Sequence, residues 1–203
     1  MPPGSSHGVD PAVPEGQALH YLYFLKWLSH VPIPGAGPLP LPPGLSLQLW
    51  RPGWLHLVPR GFPAYPFALW GLFHLLRVFA SRDYAILIVR AGGLPVHRTC
   101  LVPAHFRFPF MGPGDLQAAG IWTRPDHRGQ GLARLALQEL SARLGPSGRI
   151  LWYMVREDNP GSIRLAEASG FRFAGRGRKQ AGLGPLGAFR ITEAPQALVP
   201  GQD

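Results

Sequence analysis

A mixed α/β fold, with a mostly antiparallel sheet carrying helices on both faces, is predicted by three features of the 203-residue sequence. Two β-type runs, Asp83 to Val89 and Leu94 to Val102, flank Ala91-Gly92-Gly93 and read as a hairpin. A strand then passes through a glycine loop into an amphipathic helix and on to an apolar strand, over residues 115–155. A short helix opened by Asn159-Pro160 precedes the last strands. A helical, Pro-rich N-terminal extension is expected ahead of this core, with boundaries at 1–16 (disordered), 17–80 (extension packing on the core), 81–195 (core) and 196–203 (flexible tail).

Taken in order, Ala18 to Val31 is apolar around most of a helical circumference and predicts a helix, ended by the stiff stretch Pro32–Pro43. Leu45 to Leu57 alternates as a strand, interrupted at Pro52-Gly53. Pro66 to Phe79 predicts a second apolar helix with proline in its first turn, too short to span a bilayer. Phe106 to Pro113 is an aromatic, proline-broken loop, and Asp115 to Thr123 a strand. Leu132 to Leu144 sets Leu132, Leu135, Ala136, Leu140 and Leu144 on one side, with Arg134, Gln138, Glu139 and Ser141 turned outward. Gly145-Pro146 stops that helix, and Ile150 to Val155 is apolar enough for a strand covered on both faces. Phe171 to Ala174 and Ala188 to Thr192 complete the sheet.

Composition narrows the function classes. With 46% hydrophobic and 15% charged residues a large core is affordable, and no window holds the 18 or more apolar residues of a membrane helix. The N-terminus has neither a basic start nor an apolar run, which predicts a cytoplasmic protein. Cys100 is the lone cysteine, so no internal disulfide forms and no metal site is expected. The net charge of +9 comes from 18 Arg and 2 Lys against 11 acids, spread thinly except for Arg172, Arg176, Arg178 and Lys179. That group reads as a solvated strand edge or a cofactor rim, and nucleic acid is not an expected partner.

The loop His127-Arg128-Gly129-Gln130-Gly131 leads straight into the helix at Leu132. The first N–H groups of a helix lack internal partners and carry partial positive charge, so an anion can sit there. Glycine lets those groups converge and leaves room for a phosphate. The same glycines also suit a plain tight turn. No Lys-Ser/Thr follows the second glycine and the three-glycine dinucleotide fingerprint is missing, which excludes a P-loop and a Rossmann turn.

Thr123 to Ala133 (TRPDHRGQGLA) resembles the acetyl-CoA signature of the GNAT acyltransferases, Arg/Gln-x-x-Gly-x-Gly/Ala after a strand. Asn159, Ser162, Glu167, Gly170 and Phe171 resemble the second motif of the Rim-type subgroup and its sugar- and antibiotic-modifying relatives, and the aromatic run Phe106 to Met111 resembles one in relatives encoded with polysaccharide genes. The resemblance covers roughly residues 83–192. It implies an acetyl-CoA-dependent N-acetyltransferase acting on a small amine, with an amino sugar or nucleotide sugar as the leading acceptor. Arg128, Gly129, Gln130, Gly131, Leu132 and Ala133 would hold the pyrophosphate. Ile121, Trp122 and Thr123 would offer main-chain groups to the pantetheine, and Asn159 and Ser162 would lie beside it. Whether the protein forms a homodimer stays open.

The catalytic residues are less determined. Ala166 stands where many family members carry an acidic tyrosine, which leaves Ser162 as a candidate proton donor or as capping support only. Asp115 and then Glu157 are the candidate bases, with His97 and His105 as relays and a water chain as the alternative. The rings of His105, Phe108, Phe110 and Tyr153 are the candidate acceptor contacts, and the aromatic loop fits a core plug equally well. Two other readings stand beside the enzyme: a catalytically silent GNAT-like acyl-CoA or partner-binding module, and peripheral docking through the helices at 18–31 and 66–79.

Overall fold

The computed structural model describes residues 20–28, 41–144, 148–180 and 187–194. The expected disorder at 1–16, the connector at 32–40, the stop at Gly145-Pro146 and the tail at 196–203 lie outside those residues. The elements are β1 (His20–Trp27), β2 (Leu45–Trp50), α1 (Ala64–Leu75), β3 (Ala85–Ala91), β4 (Leu94–Pro103), β5 (Leu116–Thr123), α2 (Leu132–Leu144), β6 (Ile150–Arg156), α3 (Pro160–Ala168), β7 (Arg172–Lys179) and β8 (Phe189–Glu193). They build one eight-stranded sheet in the order β2-β3-β4-β5-β6-β1-β7-β8. Every pair is antiparallel except β5 with β6.

The helix expected over 18–31 is corrected by β1. Its middle residues Tyr23, Phe24 and Leu25 are buried, and they alternate between two cores: Phe24 faces the α2 side, Tyr23 and Leu25 the other. An apolar run does not distinguish a buried helix from a strand hydrogen-bonded on both edges. Pairing with β6 and β7 decides it, and the aromatic content (Tyr21, Tyr23, Phe24, Trp27) suits a pleated surface. The stretch before residue 80 therefore contributes β1 and β2 to the sheet itself.

Alternation along β3 shows the helices on both faces. Ala85 and Leu87 pack with α2 residues Ala136, Leu137 and Leu140, while Ile86 and Ile88 pack with α1 residues Phe67, Trp70 and Phe73. The predicted hairpin is β3–β4, turned through Gly92 and Gly93. Residues 132–144 form a helix as expected, but Glu139 is buried rather than outward, its carboxylate taking the Arg143 guanidinium one turn on at 2.6 Å. The predicted strand at 45–57 stops at Trp50, before Pro52.

Candidate functional site

β5 and β6 run parallel, with paired residues Leu116↔Leu151, Gln117↔Trp152 and Ala118↔Tyr153. From Ala119 to Thr123 the β5 edge that faces β6 has no strand partner among the described residues, so its main-chain groups border an open V. A bulge assists the opening. Between Cys100↔Ala119 and Arg98↔Trp122, β5 spends one residue more than β4. Gly120 takes φ +56° there, and a Cβ on it would come within 3.2 Å of Cys100 Sγ.

The mouth of the V is closed on one side by the predicted loop. After Thr123 the chain makes a 3-10 turn over Pro125–His127, then passes Gly129 (φ 76°) and Gly131 (φ 74°) into α2. The first helical bond runs from Leu135 N–H to Gly131 O, which leaves the N–H groups before it pointing out of the helix start. No acid occupies the first turn of α2, and a Cβ on Gly129 or Gly131 would meet nothing within 4 Å. Arg128 donates through Nε to Thr123 O at 3.2 Å, Gln130 donates to Asp126 O, and Leu132 anchors the turn by packing on Val89 and Val96. Ala133 is half-buried behind it. Backbone amides at such a helix start, with two glycines at its lip, form a cradle that suits an anion.

The loop is held from beneath by His97. Its ring is fully buried, with Nδ1 2.8 Å from Thr123 Oγ1 and Nε2 2.9 Å from Thr99 Oγ1. Burial, with Arg98 adjacent, pushes its pKa down to about 4. A neutral imidazole between two hydroxyls locks the last residue of β5, but it is not a base for neutral pH.

Facing the loop across the V is the start of α3. Asn159 Oδ1 accepts from Ser162 N–H at 3.0 Å, and Pro160 occupies the first turn. Tyr153 is the last β6 residue paired with β5 and so marks the vertex. Its ring is buried against Phe171, and burial raises the phenol's pKa while an interaction with the Ser162 side chain opposes that rise. Tyr153 thus belongs to the core on the α2 side rather than to an acceptor surface.

The remaining predicted residues fall elsewhere. Asp115 immediately precedes β5, at the end opposite Thr123 and about 26 Å from it along the strand. Its carboxylate accepts from Gly112 N–H (2.8 Å), Trp152 Nε1–H (3.0 Å) and Ile150 N–H (3.2 Å), so it ties the aromatic loop to β6 instead of facing an acceptor. Glu157 is at the V end, exposed, and paired with Arg176 at 3.2 Å. The aromatic loop is the core plug. Phe108 stacks on Phe189, Phe110 meets Tyr23 and Trp152 edge-on, and His105 is enclosed by Phe79, Phe106 and Phe108. His105 Nδ1 lies 3.1 Å from Pro103 O, and burial lowers its pKa. Connecting the far ends of β4 and β5, the loop sits away from the cradle.

Sequence reasoning overlooked Arg98. It lies on the α1 face of β4, among Phe62, Phe67 and Trp122, on the same face as the apolar Cys100 and Val102. The available signal was one guanidinium among apolar residues spaced two apart, Val96, Cys100 and Val102.

The model of the acetyltransferase (GNAT) family matches residues 54–171, more than half of the chain. Among solved structures, the chain is similar to a GCN5-related N-acetyltransferase from Sphaerobacter thermophilus, with 18% identity and a TM-score of 0.53 over 78% of this chain and 50% of that one. It is also similar to a tandem GNAT protein from the clavulanic acid biosynthesis pathway, with 18% identity and a TM-score of 0.54 over 89% of this chain and 55% of that one. At such identity the likeness is one of fold, and the chain spans about half the length of either. No curated protein matches it.

Proposed function

Because this chain belongs to the acetyltransferase (GNAT) family, we propose that it transfers an acetyl group from acetyl-CoA to a primary amine by direct attack on the thioester. The observation that carries this reading is the coincidence of an amide-lined helix start with an unpaired β5 edge at one end of the sheet. The two features suit the two ends of one ligand: a pyrophosphate at Gly129–Ala133, and an amide-bearing arm along Ile121–Thr123. The fit is chemical, since main-chain donors converge where no acidic side chain competes.

In the transfer the amine nitrogen bonds to the acyl carbon as the C–S bond breaks. The departing sulfur needs a proton, and Tyr153 with Ser162, at the vertex, supplies it; the raised phenol pKa keeps that proton in place until then. Unpaired N–H groups of β5 orient the acyl carbonyl. The amine's own proton leaves by water. Among the described residues at the V end, Glu157, Asp126 and Asp158 are all engaged in ion pairs, and His97 is buried between Thr99 and Thr123.

That engagement of every carboxylate favours one second reading, a module that binds acyl-CoA without turnover. Within the family, the Asn159-to-Phe171 pattern supports a Rim-type affinity. The amino-sugar or nucleotide-sugar acceptor loses its support, because Phe108 is a core residue and Phe110 packs against that core. The deciding experiment is calorimetric titration with acetyl-CoA followed by thiol release over an amine panel. Micromolar binding with release is expected; binding without release selects the second reading, and no binding by the folded protein rejects both.

A further inference from the structure

The sheet's other face holds a second feature beside the V. A cavity of about 90 Å³ lies between α1 and the strands, lined by Phe67, Trp70, Tyr84, Arg98, Cys100 and Gly120. Its walls are mostly aromatic, and Arg98 and Tyr84 are among its polar side chains. Arg98 is half-buried, its guanidinium 5.0 Å from the Phe67 ring centre, 5.3 Å from Trp122 and 5.5 Å from Phe62. Those rings fix the guanidinium in place. Its Nε is buried without a hydrogen-bond partner, and among the described residues no carboxylate forms an ion pair with it. Tyr84 is fully buried, and its hydroxyl also lacks a partner.

A guanidinium without an ion pair beside a small, largely apolar cavity is costly unless something accepts from it, and the Tyr84 hydroxyl is a second buried donor without a partner. An anion with two oxygens answers both the charge and the hydrogen-bond demand, and a planar guanidinium matches a carboxylate best. The cavity also lies beside the reaction site. Gly120 lines it and lies two residues beyond Ala118, the last β5 residue paired with β6, so the cavity abuts the vertex from the face opposite α2.

We propose that this cavity receives a carboxylate carried by the amine acceptor, gripped by Arg98 and Tyr84, so that the substrate class is amino acids or short acidic amines. This rests on the acetyl-transfer reading for the word acceptor, but the carboxylate site itself is independent of coenzyme. The aromatic walls exclude water from the pair, and the small volume admits a carboxylate on a short stem rather than a sugar ring.

The test has two arms on the purified full chain. In the first, N-acetylglycine and N-acetyl-β-alanine are titrated against their uncharged amides without coenzyme. The acids are expected to bind roughly 10- to 100-fold more tightly than the amides, and Arg98→Met to erase the difference while Arg98→Lys keeps part of it. In the second, glycine and β-alanine are compared with their amides as acceptors of acetyl-CoA, and the acids are expected to lead in kcat/KM by a similar factor. Acetyl-CoA affinity within about threefold of the parent shows that each variant is folded. Equal binding of acid and amide in the first arm overturns the carboxylate site, whatever the second arm gives. A selective first arm with no turnover in the second overturns acetyl transfer and leaves the anion site standing. Turnover of neutral amines that prefers succinyl-CoA to acetyl-CoA assigns the carboxylate to the donor and overturns the acceptor assignment.

Discussion

His97 and Thr123 face each other across β4 and β5, imidazole Nδ1 to hydroxyl at 2.8 Å, with Thr99 closing the other side of the ring. The contact couples a fully buried ring to the residue at which the phosphate-type loop departs from the sheet.

The lowered pKa of His97 has a definite consequence. The unfolded chain takes up the proton near pH 6.5 and the folded protein only near 4, so the unfolded state binds more protons between those values and stability falls as pH drops. About 2 kcal/mol is expected to be lost from this group by pH 5 relative to pH 7.5. Urea unfolding of the parent and of His97→Gln at both pH values measures it. His74 and His105 are shifted the same way and remain in both proteins, so the difference between the two isolates His97. An unchanged pH slope in His97→Gln contradicts the assignment.

The glycine lip separates charge from backbone strain. Gly131→Glu places a carboxylate where the proposed pyrophosphate would sit, and calorimetry is expected to show acetyl-CoA affinity reduced at least about 100-fold. Gly131→Asn tolerates the positive φ far better and adds no charge. It is expected to bind within about tenfold of the parent.

For Asp115 the prediction is structural. Removing a carboxylate that accepts three hydrogen bonds leaves Gly112, Ile150 and Trp152 unpaired, and Asp115→Ala is expected to cost about 2–4 kcal/mol in denaturant unfolding. The kcat per folded molecule should stay within about threefold. A collapse of kcat with stability intact restores Asp115 as a base.

Tyr153→Phe keeps the ring that packs on Phe171 and removes only the hydroxyl. If that hydroxyl protonates the departing sulfur, kcat for thiol release falls about 100-fold with acetyl-CoA affinity held within threefold. Ser162→Ala should give a smaller loss of kcat, because the phenol remains and the Asn159 cap bonds the Ser162 backbone. Parent-like kcat in Tyr153→Phe assigns the tyrosine to packing alone.

Most of the sheet's second half was legible because its signals are local. Glycine at 129 and 131, apolar spacing over 132–144 and an Asn-Pro start at 159 each describe a few neighbouring residues, and all three recur in the structure. Local signals fail where the deciding partner is distant. The run at 18–31 looks helical on its own; it is β1 because β6 and β7, more than a hundred residues away, pair with both of its edges. Glu139 is turned inward although its spacing reads as outward, its charge met by Arg143. The aromatic loop is a core plug because β1 and β8 bring Tyr23 and Phe189 against it.

By itself, then, the sequence determined the glycine turn into α2, the helix cap beside it and the family they belong to, all set by backbone conformations that a few contiguous residues dictate. Tertiary structure alone decided where β5 and β6 part, that Asp115 is a fastener, that Tyr153 stands at the vertex and that Arg98 meets Tyr84 in a shared cavity. Those facts depend on strand register and side-chain direction across non-adjacent strands, which no short stretch of residues encodes.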